Sequence, residues 1–201
     1  MVRHAKFNKN DFILAAIDLI ARGGPAAASM GAIAARVGAP TGSIYHRFTS
    51  RSALLGSAWL WALSAMSDEI LPHLMLGKSA QAITALIHWT EENPAMALVI
   101  TAYVERDLID GPLPPKLHKA LNMAHQRLGA GLSALLKHEG KALTATNLAL
   151  ANFAIFDGPI AAMKPLLRGR PQASDHHMTL TINKCRQAAL AAGRASLALL
   201  E

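Results

Sequence analysis

The chain has a single cysteine, Cys185, among its 201 residues, so it can form neither an intrachain disulfide nor a metal site built from several cysteines. Charged residues are also scarce, at 16% against 52% hydrophobic residues, so a large core is available and disorder is not expected. The N-terminal sequence is polar and lacks the apolar core of a signal peptide, and the uncharged run at residues 52–67 is too short for a membrane span. We therefore expect a cytoplasmic protein with no membrane partner.

Motifs of enzyme chemistry are missing as well. The sequence contains no nucleophile elbow and no phosphate-binding loop, so we predict neither an enzyme nor a cofactor. Nine histidines invite a metal interpretation, notably His118 with His125, and His176 with His177. None of these pairs has the tight spacing of metal ligands, so we predict no metal site and regard the histidines as solvated surface residues.

Positive charge is concentrated at the N-terminal end. The formal net charge is +7, and residues 1–51 contain seven Lys or Arg against two Asp. The chain begins with a basic arm of Arg3, His4, Lys6 and Lys9, and such arms can approach phosphates or a minor groove. This distribution is typical of nucleic-acid-binding proteins, although charge alone more often marks a solvated surface.

Residues 29–51 have the pattern of two short helices joined by a tight turn. Ser29 is a suitable N-cap for the first helix, because its hydroxyl can accept from a backbone N–H of the first turn. Gly38 can adopt the left-handed conformation that ends a helix. Pro40 cannot continue the first helix but suits the start of a second.

The second of these helices has an apolar and a polar side. Ile44 and Phe48, four residues apart, form the apolar side. A glycine turn followed by a short helix with outward hydrogen-bonding groups is the plan of a helix-turn-helix that reads a DNA major groove. The polar side carries Thr41, Ser43, His46 and Arg47, with Tyr45 at its edge.

The rest of the chain also has helical patterns, without alternating strand patterns or internal repeats, and we predict an all-α fold of about nine helices. Asn8 or Asn10 should cap the first helix. A long fourth helix, capped by Ser50, should be stopped by Pro72. No linker separates it from the helix-turn-helix, so a movement of its far end would move the recognition helix. Later helices are predicted over residues 79–92, 94–108, 116–138, 144–167 and 175–200.

A set of apolar residues and glycines recurs in a specific order over residues 13–55: Ile13, Ala16, Gly23, Ile33, Ala34, Gly38, Gly42, Ile44, Tyr45, Phe48, Leu54 and Leu55. Together they resemble the TetR family of bacterial transcriptional regulators. A second set is similar to the penultimate helix of many TetR C-terminal domains: Phe156-Asp157-Gly158, Leu166-Leu167 and Gly169-Arg170-Pro171.

The resemblance implies an all-helical homodimer with two domains. Residues 1–51 would form a three-helix DNA-binding domain, and residues 52–201 a larger domain that binds an effector and dimerises. The implied function is that of a transcriptional repressor, which leaves a palindromic double-stranded operator when a small apolar effector binds.

Individual DNA contacts follow from the resemblance and from side-chain chemistry. The resemblance implies that Tyr45 gives its hydroxyl to a phosphate; a half-buried core tyrosine is the alternative. Arg47 can grip guanine, and Arg51 can hold a phosphate at the start of the fourth helix. Thr41 and Ser43 can contact base edges or simply cap their helix. The predicted DNA-binding residues are Ser29, Thr41, Gly42, Ser43, Tyr45, His46, Arg47 and Arg51.

The last two helices are predicted to pair with those of a second copy, although a hairpin within a monomer is the alternative. Small residues at positions 188–196 would let helices approach closely, and Pro159 should kink the earlier helix. The segment 144–167 has two apolar faces, one with Leu148, Ile155, Ala162 and Leu166, the other with Phe153, Phe156, Ile160, Met163 and Leu167.

An apolar effector pocket is expected among the middle helices. Methionine and aromatic side chains adapt to apolar ligands, and His88 could orient a polar group. Each apolar candidate can equally be ordinary helix core. The predicted ligand-binding residues are Trp59, Met66, His88, Trp89, Met96, Tyr103 and Phe153.

A second class of function also fits, namely a helical carrier or sensor of small molecules with a vestigial DNA-binding head. Pro40 and Thr41 favour it, since they stand where the family often has a polar cap and a lysine. The basic N-terminal region, together with Tyr45 and Arg51, argues against it.

Overall fold

The computed structural model describes residues 7–168 and 175–201, with the side chains of residues 7–167 and 181–201. Within these residues the secondary structure is helical and contains no strand, which confirms the predicted all-α fold. A 3-10 turn, Pro25–Ala27, follows the first helix, and a π-helical segment, Phe153–Asp157, precedes the tenth. The helices α1 to α11 are Lys9–Gly23, Met30–Val37, Thr41–Tyr45, Arg51–Met75, Ser79–Glu92, Pro94–Ala102, Glu105–Leu108, Pro115–His138, Ala145–Asn152, Gly158–Arg168 and Asp175–Leu197.

The first two helices begin and end at the capping residues predicted from the sequence. Asn8, rather than Asn10, caps α1: its side chain accepts from the Asp11 N–H at 3.0 Å, and its own N–H donates to the Asp11 carboxylate at 2.7 Å. Ser29 caps α2 by accepting from the Ala32 N–H at 3.1 Å. Gly38 ends α2 in the left-handed region, with φ 73° and ψ 27°. Such caps satisfy backbone groups that a helix end leaves unpaired.

Helix α4 corrects the predicted stop at Pro72, because it continues through this proline to Met75. Its last turns pack against α8: a Cβ added at Gly131 would lie 2.7 Å from Leu71 and 3.2 Å from Leu74. We attribute the continuation to this packing, which can offset the backbone donor that proline removes. The start of α4 matches the prediction, since the Ser50 hydroxyl accepts from the Ala53 N–H at 3.0 Å.

Two predicted helices are divided, so residues 7–168 and 175–201 contain eleven α-helices where nine were predicted. The expected helix over residues 94–108 is interrupted where Val104 takes an extended conformation, with φ −96° and ψ 139°. The Tyr103 side chain just before it approaches Gly24, so a tertiary contact accompanies the break.

The helix expected over residues 144–167 contains the π-helical segment. A π-helical segment shifts the phase of all later side chains, so the two predicted apolar faces are wrong. Phe153 and Phe156, predicted on the same face, differ: Phe156 is buried with Ile155 of the other predicted face, whereas Phe153 is 48% exposed. Pro159, expected to kink the helix, is the second residue of α10 and directly follows this segment.

The chain forms two compact units. The first comprises Met1–Leu63 with Ala95–Asn122, and the second Ser64–Pro94 with Met123–Glu201. This division differs from the predicted functional boundary after Arg51, which stays a prediction about function. Arg3, His4 and Lys6 of the basic arm, and the motif Gly169-Arg170-Pro171, lie outside the described residues.

Candidate DNA-binding surface

The recognition helix α3 is held in place by two buried side chains. Ile44 is fully buried and Phe48 is 3% exposed. The Phe48 ring meets the Phe12 ring of α1 edge to face, with centroids 6.5 Å apart. Ile44 of α3 and Phe48, three residues after its end, both point into this small core, so Tyr45 and His46 between them face outward.

The outward face carries hydrogen-bonding side chains. Thr41, Tyr45 and His46 are exposed, and Ser43 is half-buried. The Tyr45 side chain is 59% exposed, so it is not the half-buried core tyrosine considered as its alternative. Ser29, the cap of α2, is exposed too. The first unit thus presents a surface of hydroxyl, phenol and imidazole groups on a rigid support.

Arg47 folds back over the domain. Its Nη1 donates to the Ser43 carbonyl at 2.7 Å, and its Nη2 donates to the Phe7 carbonyl. The guanidinium carbon also lies 5.5 Å from the centre of the Phe12 ring. These contacts neutralise no charge, because both acceptors are backbone carbonyls. Arg47 therefore places a positive charge next to the C-terminal end of α3, and its hydrogen bonds hold this end against the segment before α1.

Arg51 has a different environment from that of a free phosphate-binding side chain. Its Nε donates to the Ala28 carbonyl at 3.0 Å, its Nη2 to the Pro25 carbonyl, and its Nη1 to the Asp110 carboxylate. The side chain is only 26% exposed. The fork of the guanidinium is thus engaged within the first unit. In this conformation Arg51 positions the segment before α2 relative to α4.

Asp110 completes this arrangement from a segment far along the chain. Its second carboxylate oxygen accepts from the Ser52 hydroxyl at 2.9 Å. The next residue, Gly111, lies so close that an added Cβ would be 2.7 Å from the Ser52 oxygen. We refer to Pro25, Ala28, Arg51, Ser52 and Asp110 as the Arg51 cluster.

A second polar contact joins α1 to α2. Asp18 accepts from Arg22 at 2.8 Å within α1 and from Arg36 of α2 at 2.9 Å. Partial burial raises the pKa of Asp18, but the hydrogen bonds and charges of Arg22 and Arg36 outweigh it and hold this pKa below its usual value. Two of the basic residues counted in the N-terminal region therefore serve the internal structure of the domain.

Three residues important to this surface were not identified from sequence. Asp110 lies 59 positions from Arg51, and the Phe7 carbonyl lies 40 positions from Arg47. Asp18 is separated from Arg36 by 18 positions. In the sequence Asp110 begins a stretch dense in glycine and proline, Asp110-Gly-Pro-Leu-Pro-Pro115, which indicates a turn but not the partner of the carboxylate.

The predicted ligand-binding residues are distributed over both units. In the first unit, Trp59 is buried and Met96 and Tyr103 are half-buried. In the second unit, Met66 and Trp89 are buried, whereas His88 and Phe153 are exposed, with His88 Nδ1 3.2 Å from the Glu92 carboxylate.

Two further properties concern other kinds of site. None of the described helices is both long and apolar enough to cross a membrane. Among the described side chains, no group of three or more His, Cys, Asp or Glu could hold a metal ion. The side chains of His176 and His177 lie outside the described set.

Comparison with known proteins finds a family model that is similar to the N-terminal region. The model for bacterial regulatory proteins of the tetR family matches residues 12–58, which contain α2, α3 and most of α1. This match confirms the resemblance predicted from the sequence, over that segment. No curated protein matches the chain by sequence.

Solved structures share the fold over nearly the whole chain. A protein of Shewanella sp. PV-4 assigned to the tetR family is 18% identical, with a TM-score of 0.66 over 92% of this chain and 95% of its own. A TetR family transcription regulator from Marinobacter aquaeolei VT8 is 19% identical, with a TM-score of 0.63 over 90% of this chain and 94% of its own. The fatty acid degradation regulator FadR from Bacillus halodurans is 18% identical, with a TM-score of 0.63 over 94% and 97%. At these identities the similarity concerns the fold.

Proposed function

We propose that this chain is a DNA-binding transcriptional repressor, which acts in the cytoplasm as a homodimer and releases its operator when a small apolar effector binds. The observation that carries the proposal is the orientation of α3 within the segment that matches the tetR family. Ile44 and Phe48 anchor the helix, while Thr41, Tyr45 and His46 are exposed. A short helix so held can place these groups against base edges and phosphates.

The proposed DNA contacts differ in kind. Tyr45 and Ser29 give hydroxyls to phosphates, while Thr41, Ser43 and His46 reach base edges or neighbouring phosphates. The backbone of Gly42 lies on the exposed surface of α3, where no side chain obstructs the approach of DNA. Arg47 supplies charge beside the helix. We assign Arg51 a positioning role, because its guanidinium is already bound within the Arg51 cluster.

Dimerisation through the last helices is supported by their exposed faces. On α11, Ala188, Ala191 and Ala195 are exposed at spacings of three and four residues, and so lie on one side of the helix. Phe153 contributes a large exposed apolar ring from the π-helical segment. Covering such surfaces by a second copy removes apolar area from water and places two recognition helices on one DNA molecule.

Communication with the effector is supported by the continuity of α4. The helix carries the predicted ligand-binding residues Trp59 and Met66 and begins at Arg51, which holds the segment before α2. An effector that displaces residues of α4 would therefore act on the Arg51 cluster. By this account the cluster is the part of the domain through which operator affinity is changed.

Selection of bound sequences from random double-stranded DNA, using the full chain, tests the proposal. We expect enrichment of an inverted repeat whose half-sites are separated by about one helical turn or a multiple of it. Affinity for the selected DNA should fall steeply as salt rises, because each phosphate contact releases counterions. Absence of any enriched sequence, while apolar ligands still bind, would support the carrier or sensor instead.

Two histidine variants provide a matched control for the selected DNA. His46→Ala removes an exposed imidazole at the C-cap of the recognition helix, and His118→Ala removes an exposed one from α8. We expect His46→Ala to weaken binding about 10-fold or more, as loss of a base contact does, and His118→Ala to leave it unchanged. Equal affinities of the two variants would contradict the proposed surface.

A further inference from the structure

Trp59 has a buried hydrogen-bond donor that finds no acceptor in the part of the chain that the structure describes. The residue lies on α4 within the first unit and is 7% exposed. Its indole Nε1 is shielded from solvent and has no acceptor among the described residues. Burying an N–H group without a partner is unfavourable, so native proteins contain few such groups, and each calls for a physical explanation.

The side of α4 one turn before Trp59 packs against aliphatic side chains. Gly56 lies one turn earlier on the same side of the helix. A Cβ added at Gly56 would lie 2.9 Å from the Leu113 side chain, 3.1 Å from Leu117 and 3.6 Å from Ile109. This side of the helix therefore faces hydrocarbon, which makes an unbound donor more unfavourable and a suitable acceptor more valuable.

Polar groups near Trp59 along α4 already have partners. The Ser57 hydroxyl donates to the Ala53 carbonyl at 2.7 Å, and the Ser52 hydroxyl donates to Asp110. Arg51, the cation at the start of the helix, is bound to Asp110 and two carbonyls. A carboxylate buried against this side of α4 would have no free cation from the helix to offset its charge.

We propose that the Trp59 indole N–H donates a hydrogen bond to a neutral carbonyl oxygen of an otherwise apolar effector. The aliphatic side chains around this part of α4 select an apolar body, and the single donor selects a ketone, ester, lactone or amide over a plain hydrocarbon. This inference rests on the proposed function, since it names the chemical class of the effector.

The test compares two probes of nearly identical shape on the full chain. 2-Decanone has a carbonyl oxygen, and 2-methyl-1-decene has a methylene group in its place. With ¹⁵N-labelled tryptophan, we expect the ketone to shift the Trp59 indole N–H resonance downfield and the alkene to leave it in place. Failure of the ketone to bind, or equal shifts with both probes, would overturn the proposal.

Substitution isolates the N–H group. Replacing Trp59 by 3-benzothienylalanine keeps the volume of the side chain and removes only the donor, and Trp59→Phe is a simpler second variant. We expect either change to weaken ketone binding by about 5- to 30-fold relative to alkene binding. Trp61→Phe, at a half-buried position of the same helix, should change neither. An equal loss for both probes would show that Trp59 acts only through packing.

This test and the DNA selection fail independently. If the ketone binds through Trp59 but no DNA sequence is enriched, the ligand assignment stands and the regulatory function does not. If a DNA sequence is enriched but the ketone does not shift the indole N–H resonance, the regulatory function stands and the proposed ligand class is wrong.

Discussion

The helix-turn-helix region and the last helices of the chain are held together in different ways. In the helix-turn-helix region, polar side chains join separate segments: Arg51 donates to Asp110, and Arg36 donates to Asp18. In the last helices, α11 packs closely against its neighbours, so that a Cβ added at Gly193 would clash with the Ile83 side chain and lie 2.7 Å from the Ala154 carbonyl.

This difference has a functional consequence. Directed polar contacts define one arrangement of the segments, which changes when a single hydrogen bond or ion pair is broken. Close packing of small side chains instead resists any change in the distance between the helices. One ion pair of the second unit is an exception to this contrast. Arg186 of α11 donates to both carboxylate oxygens of Glu91, at 2.7 and 2.6 Å. The hydrogen bond and charge of Glu91, partly opposed by burial, raise the pKa of Arg186.

The largest effect is expected from Gly193→Ala. The added methyl group would overlap a backbone carbonyl that cannot move independently, so we expect a loss of about 2 kcal/mol in the free energy of unfolding. Gly129→Ala in α8 is the control, because its Cβ would meet nothing within 4 Å and should stabilise its helix by up to about 1 kcal/mol. Urea unfolding followed by circular dichroism measures both, and similar behaviour of the two variants would contradict the packing argument.

Arg51→Ala should have the next largest effect. Removing a mostly buried guanidinium takes the donor from two carbonyls and from one oxygen of Asp110, and we expect a loss of about 2 kcal/mol or slightly less. Arg51→Lys should recover only part of the lost stability, since an ammonium group cannot donate in the directions of the planar guanidinium. Arg127→Ala, which breaks an exposed pair with Asp68, is the control and should cost at most about 0.5 kcal/mol. Reduced operator affinity at unchanged stability would instead indicate direct phosphate binding by Arg51.

Asp18→Asn should have a smaller, pH-dependent effect. Because the folded-state pKa of Asp18 is lowered, the unfolded chain binds more protons in the acid range. The stabilisation is therefore present above about pH 4 and is lost as the pH falls through the folded-state pKa. We expect wild type and variant to differ by about 0.5 kcal/mol at pH 7 and to converge in acid. A difference that persists at pH 2 would rule out this explanation, and the exposed Asp68→Asn serves as the comparison.

Tyr45→Phe should have almost no effect on stability, because the side chain is 59% exposed. Its effect should lie in DNA binding, where losing a hydroxyl-to-phosphate hydrogen bond would weaken affinity by about 2- to 10-fold. Thermal melting and titration of the selected operator measure the two quantities separately. A large drop in melting temperature would indicate instead that Tyr45 contributes to the protein core.

Features that depend on a few neighbouring residues were predictable. The caps at Asn8, Ser29 and Ser50 and the left-handed Gly38 each involve contacts no more than four positions apart. The burial of Ile44 and Phe48 follows from their spacing, although α3 itself ends at Tyr45, before Phe48. These signals also carry the family resemblance, which explains why the N-terminal region was interpreted more completely than the rest of the chain.

Features that depend on distant residues were not predictable. The continuation of α4 through Pro72 depends on packing against α8, and the role of Arg51 depends on a carboxylate 59 positions away. The π-helical segment turned Phe153 outward, although uninterrupted helical spacing placed it with the buried Phe156.

The sequence by itself determined that the chain is helical, where most of its helices begin and end, and which side of α3 is polar, because these properties arise from periodicity and from bonds within one turn. Only the tertiary structure decided which of the basic residues are exposed and which are bound inside the domain. A side chain's partners are set by which distant segments the fold brings within about 3 Å, and hydrogen bonding operates only at that range.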